Sequence, residues 1–127
     1  MILTTELRRG NLVFDINGNV NYVYQIYSTG VELAENMQGG DDIDAREEEI
    51  FPIPITEEFL LKFGFEYRTD TGYDGWYSPP IAGESIRIFE VENGWYKFQS
   101  STTVIKYVHR LQNFIFEMTD KELELKQ

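Results

Sequence analysis

The chain has 127 residues, 42% of them hydrophobic and 15% aromatic, no cysteine, and 22 acidic against 11 basic side chains, for a formal net charge of -11. That length suits one domain or two small conjoined units, the apolar content excludes a disordered tail, and the missing thiols exclude disulfides, zinc–thiolate sites and cysteine nucleophiles. A field of this sign repels polyphosphate and anionic lipid, so nucleic acid and membrane surfaces are disfavoured as partners and a basic protein is favoured.

The opening Met1-Ile2-Leu3-Thr4-Thr5-Glu6-Leu7-Arg8-Arg9 has neither the basic start nor the apolar core of a signal peptide, and no window approaches the roughly 20 apolar residues of a membrane span. A cytoplasmic, soluble protein is the expectation. Leu12-Val13-Phe14 reads as a strand turning at Asn17-Gly18-Asn19, residues that tolerate positive φ. A three-residue loop would pair Ile16 with Val20, Phe14 with Tyr22 and Leu12 with Tyr24, placing those apolar partners on one face and Asp15 with Asn21 on the other. Strands over Val23–Tyr27 and Val31–Glu35, joined by Ser28-Thr29-Gly30, are too few to close a core unless they curl into a small barrel.

From Gln38 to Glu49 the composition turns acidic, and ten acids lie between Glu32 and Glu58. The expectation is an exposed acidic loop over 38–49, with Asp41, Asp42, Asp44, Glu47, Glu48 and Glu49 as candidate contacts for a basic partner. It is not an EF-hand: counted from Asp42, the fifth position is Arg46 and the sixth, which needs Gly, is Glu47. Ile50-Phe51-Pro52-Ile53-Pro54-Ile55 carries two prolines and reads as an edge strand or extended connector. Thr56 then caps a short helix, Glu57 and Glu58 suit its positive end, Phe59, Leu60 and Phe63 face inward, and Gly64 stops it with a contact of Phe65 on Leu60.

Residues 65–99 read as a meander. Glu66-Tyr67-Arg68 and Trp76-Tyr77 flank a turn-rich segment, and Asn93-Gly94 makes a hairpin pairing Val91 with Tyr96, Phe89 with Phe98 and Glu90 with Lys97. Tyr67, Tyr73, Trp76 and Tyr77 pack these hairpins and could double as an aromatic platform. Val104, Tyr107, Val108, Leu111, Phe114, Ile115 and Met118 recur at helical spacing, which predicts a closing helix over 104–118 laid across that sheet. Ile105, His109, Gln112 and Phe116 form a second stripe on this helix, with two large apolar residues off the core face; either the barrel half or the tail covers it, or it is the candidate for partner binding or self-association. Residues 120–127 make a polar tail.

Catalytic motifs are missing. There is no GxSxG, GxxxxGK[ST], HExxH or GxGxxG, and one histidine cannot build a multi-histidine metal site; no enzyme activity, metal or cofactor is expected. Three islands, Glu6–Val13, Pro52–Phe65 and Ile105–Phe114, resemble one family of short uncharacterised proteins encoded by Bacteroidetes and their phages or prophages. The resemblance implies a mobile-element setting and transfers no site residue. The Leu7-Arg8-Arg9-Gly10-Asn11-Leu12-Val13 opening with its hairpin is also similar to the first strands of SH3-like barrels.

The expected architecture is therefore α+β. An SH3-like small β-barrel subdomain over 1–55 precedes a helix–meander–helix subdomain over 56–127, in which an antiparallel β-meander packs with one short and one long C-terminal helix. The expected function is a non-catalytic protein-binding accessory factor. The alternatives are an acidic nucleic-acid mimic that occupies the groove of a defence nuclease, and an SH3-like module stacking bases on exposed aromatics.

Overall fold

The structure is a computed structural model and describes residues 1–39, 42–69, 72–81, 83–99 and 102–125. The chain is α+β, with two open antiparallel sheets and two helices, and divides into two compact units, Met1–Ile53 and Pro54–Gln127. None of the described helices is long and apolar enough to cross a membrane.

In the first unit β1 (Leu12–Phe14), β2 (Val20–Ile26), β3 (Gly30–Ala34) and β4 (Ile43–Arg46) form a simple meander in chain order. One side of it is apolar: Val13, Val23, Val31, Leu33 and Ala45 are buried together with Ile2, Leu7 and Ile50. Two 3-10 turns, Thr4–Glu6 and Glu47–Glu49, bring these last residues in, and the Glu47 carboxylate accepts a hydrogen bond from the Thr4 amide at 2.6 Å.

The first hairpin departs from the expected pairing. Leu12 faces Tyr22, Val13 faces Asn21 and Phe14 faces Val20, which leaves a five-residue loop over 15–19. The cause is Asp15: its carboxylate accepts from the amides of Asn17 and Asn19, each at 2.9 Å, and from the Asn21 side chain at 2.9 Å. A carboxylate that gathers three donors organises a longer loop than positive φ alone would select. The expected faces hold only in part: Leu12 is buried, but Val13 and Val23 also lie inward with Asp15 and Asn21, while Ile16 and Val20 are exposed.

β4 occupies part of the stretch expected to be loop. It pairs with β3 through Val31–Ala45, Glu32–Asp44 and Leu33–Ile43, and Gly30 is required beside it, since a Cβ there would collide with the Ala45 carbonyl oxygen. The proline-bearing connector is extended as expected, held by single bridges: Phe51 exchanges two backbone hydrogen bonds with Phe14, and Pro54 bridges Tyr107.

The second unit opens with α1 (Glu57–Lys62). The Thr56 hydroxyl accepts from the Phe59 amide at 3.2 Å, a cap contributing about 1 kcal/mol. Gly64 ends the helix at φ 87°, and the Phe65 amide donates to the Leu60 carbonyl, the expected Schellman closure, with both side chains buried. β5 (Glu66–Arg68), β6 (Gly75–Tyr77), β7 (Arg87–Glu92), β8 (Trp95–Phe98) and β9 (Val104–Ile105) follow as a second meander in chain order. Asp70 and Thr71 of the β5–β6 turn, Ala82 of the next loop, and the tail residues Lys126 and Gln127 lie outside the described residues.

The Asn93-Gly94 hairpin keeps its expected turn but not its register. Glu92 faces Trp95 beside the turn, then a bulge at Val91 shifts the ladder so that Glu90 faces Tyr96, Phe89 faces Lys97 and Ile88 faces Phe98. The Glu90 carboxylate accepts from the Gly94 amide at 2.9 Å, so it tightens the turn and no longer meets Lys97. The shift puts Ile88, Tyr96 and Phe98 inward and leaves Val91 exposed.

The closing helix starts later than expected. Val104 and Ile105 are β9, paired with Lys97 and Tyr96, and Tyr107 is held extended by its bridge to Pro54. α2 therefore spans Val108–Thr119 and ends where Asp120 adopts the left-handed conformation. It lies on the second sheet, with Phe114 stacked on Phe98 at 4.0 Å between ring centroids. Beyond it Leu123 is buried, so the tail is anchored by one apolar side chain.

Candidate functional site

The acidic surface of the first unit is built on strands. Glu32 of β3 and Asp44 of β4 are directly opposite each other, on the face away from Val31 and Ala45, and Gln25 of β2 is Glu32's partner on its other side. Like charges so placed repel. Neither carboxylate forms an ion pair among the described residues. Glu32 instead accepts from the Tyr27 hydroxyl at 3.3 Å. The Tyr27 pKa is raised above its ordinary value, by desolvation first and then by the Glu32, Asp44 and Asp42 carboxylates, so the phenol stays a neutral donor to this row.

The residues singled out from the acid run separate into two groups. Asp44 and Glu48 are exposed, Glu48 only loosely paired with Arg46 at 3.9 Å. Glu47 and Glu49 are held in structural roles, on the Thr4 amide and on the Arg46 amide at 3.0 Å, and Asp42 is half-buried ahead of β4. Asp41 lies outside the described residues. Glu32 and Tyr27 were not foreseen. The signal was the alternation Ile43-Asp44-Ala45-Arg46, a period of two that marks a strand and so sets Asp44 beside a residue of a neighbouring strand.

The second stripe of the closing helix is not a free surface. Ile105, His109 and Gln112 are buried, His109 to 1% exposure, and Phe116 is half-buried. The buried arc of α2, formed by Val108, His109, Leu111, Gln112 and Ile115, runs between the two expected stripes and takes in part of each, leaving Met118 exposed. A docking role for Ile105, His109 and Gln112 is therefore withdrawn: a partner has no access to them.

The aromatics of the second meander are partly exposed and in mutual contact. Tyr67 meets Trp76 edge-to-face at 5.4 Å, and the Arg68 guanidinium lies 4.9 Å from the centre of the Tyr77 ring. Beside them opens a cleft of about 700 Å³ lined by Tyr67, Trp76, Phe89, Tyr96 and the carboxyl-bearing Glu57, Asp74 and Glu90. These residues come from α1 and from four strands or their turns, so no sequence window could have gathered them. The Tyr96 phenol is pushed up by burial, then by Glu90 and Glu57.

Among the described residues no group of three His, Cys, Asp or Glu side chains is placed to hold a metal ion. Asp15 is the one buried carboxylate among them, and its oxygens are occupied by the β1–β2 loop amides and the Asn21 side chain of β2. Comparison with protein-family models, with curated proteins and with solved structures found no match to this chain.

Proposed function

We propose that the chain is a non-catalytic protein-binding accessory factor that works in the cytoplasm, of phage or prophage origin, and that its first unit engages a basic partner. The observation that carries this reading is the Glu32–Asp44 pair: two carboxylates held opposite one another on adjacent strands, facing out, with no cation paired to either among the described residues. Such an arrangement costs the fold roughly 0.2–1 kcal/mol. A basic side chain from a partner would relieve the repulsion on binding, which turns that cost into affinity and into faster encounter at low salt. Asp44 and Glu48 are the accessible members of the acid run. The likeness of this unit to SH3-like barrels belongs to the same proposal and is supported by the tightly joined meander and its single apolar face.

The test is affinity capture from a bacterial lysate with the full chain and with Glu32→Gln/Asp44→Asn/Glu48→Gln, followed by binding of the purified partner at several salt concentrations. The proposal expects a basic partner retained by the native chain, released by the triple substitution, and bound more weakly as salt rises. A partner bound equally by both chains would overturn it. A second reading, the nucleic-acid mimic, draws support from the β3–β4 pairing, because it gives Glu32 and Asp44 set positions where a loop would not. Under that reading the captured partner is a nuclease and duplex DNA displaces the chain from it.

A further inference from the structure

We infer that the cleft of the second unit is a binding site for an organic cation, an ammonium or guanidinium group on an alkyl stem. Its volume of about 700 Å³ lies in the range of small-ligand pockets. Three carboxyl groups line it, from Glu57, Asp74 and Glu90, against one guanidinium, from Arg87, an excess of two negative charges. Arg87 is already engaged: its Nε and Nη2 both donate to the Asp74 carbonyl oxygen, and its guanidinium lies 4.6 Å from the centre of the Phe89 ring. Neither Glu57 nor Glu90 forms an ion pair among the described residues.

A separate observation points to a ligand. Tyr96 is 4% exposed and lines the cleft; its hydroxyl is not among the buried unpartnered atoms, so it opens to the cleft, and it has no hydrogen-bond partner among the described residues. A hydroxyl held on a buried ring and open only to a cleft is available to what enters it. The phenol can accept from an ammonium or guanidinium while the carboxylates of Glu57, Asp74 and Glu90 pair with its charge; the same carboxylates repel an anion. The Tyr67–Trp76 pair, edge-to-face at 5.4 Å, supplies the apolar wall for the stem and a ring face for the charge. The site is independent of the acidic row on β3 and β4: it lies on other residues and would stand if that row bound nothing.

The experiment follows the Trp76 indole resonance of the full chain during titration with spermidine, with a short peptide carrying one lysine, and with the same peptide acetylated on that lysine. Saturable shifts by spermidine or the lysine peptide, absent with the acetylated peptide, are expected; the tighter of the two tells whether the cation arrives free or on a protein. Tyr96→Phe removes only the unpartnered hydroxyl, so the melting temperature should hold or rise while affinity falls severalfold. Glu57→Gln should weaken binding roughly tenfold, the equivalent of one charge-assisted hydrogen bond. Equal shifts from the acetylated peptide, no shift at millimolar ligand, or unchanged affinity in Glu57→Gln and Tyr96→Phe would each overturn the assignment.

Discussion

The two units solve the same problem, a meander with one apolar face, with different materials. The first buries Val13, Val23, Val31 and Leu33 with no α-helix of its own among the described residues, and fixes its register with polar groups such as Asp15 and Asn21 and with Gly30, whose place no side chain could take. The second covers its sheet with α2 and packs rings, Phe114 on Phe98 and Tyr67 against Trp76. The difference assigns the surfaces. Where aliphatic side chains supply the core, the outward row is left to carboxylates; where aromatics supply it, their exposed edges meet carboxylates and make a cleft.

The comparison breaks most visibly at the cores. Leu33 and Leu111 are both fully buried, one per unit, so Leu33→Ala and Leu111→Ala should each lose about 2–5 kcal/mol in urea denaturation. If α2 were an accessory lid, Leu111→Ala would be nearly silent, and the contrast between a sheet with no helix of its own and one that carries a helix would fail. A smaller loss is expected in the polar device of the first unit. Asp15→Ala strands two loop amides and the Asn21 side chain, costing roughly 1–3 kcal/mol, whereas a change near zero would mean that the loop closes by itself.

The second unit should also answer to alkali through Tyr96. Its pKa in the folded chain is raised above 10.0 by burial, then by Glu90 and Glu57. A group whose folded pKa is raised contributes stability that is complete below the unfolded value and is lost as pH climbs through the folded one. Thermal stability should accordingly decline above about pH 10, and less so in Tyr96→Phe. Ultraviolet titration of that variant against the native chain identifies the late-ionising phenol.

What the sequence disclosed was what local chemistry decides. Thr56, Glu57, Glu58 and Gly64 mark both ends of α1 because caps act over three or four residues, and the two prolines of residues 50–55 predict an edge strand or extended connector, which the structure holds by isolated bridges. The misreadings arose where a distant or unusual partner took over. Asp15 outbid Gly18 in setting the first loop. The Glu90 carboxylate on Gly94 went with a bulge that a clean pairing of Val91 with Tyr96 concealed. Val104 and Ile105 fit helical spacing equally well, but β8 offered them a ladder. The alternation in Ile43-Asp44-Ala45-Arg46 was masked by the density of acids around it, and the cleft needed five elements to assemble.

The repulsion within the Glu32–Asp44 pair is the claim on which the acidic row depends, and melting of Glu32→Gln/Asp44→Asn against the native chain at low and high salt measures it most directly. Gln can still accept the Tyr27 hydrogen bond, so the substitution removes charge and little else. The account predicts a higher melting temperature for the variant at low salt, equivalent to about 0.2–1 kcal/mol, with the gap closing as salt screens the native pair. A variant that melts below the native chain at low salt would show that the carboxylates stabilise the strands, and would contradict it.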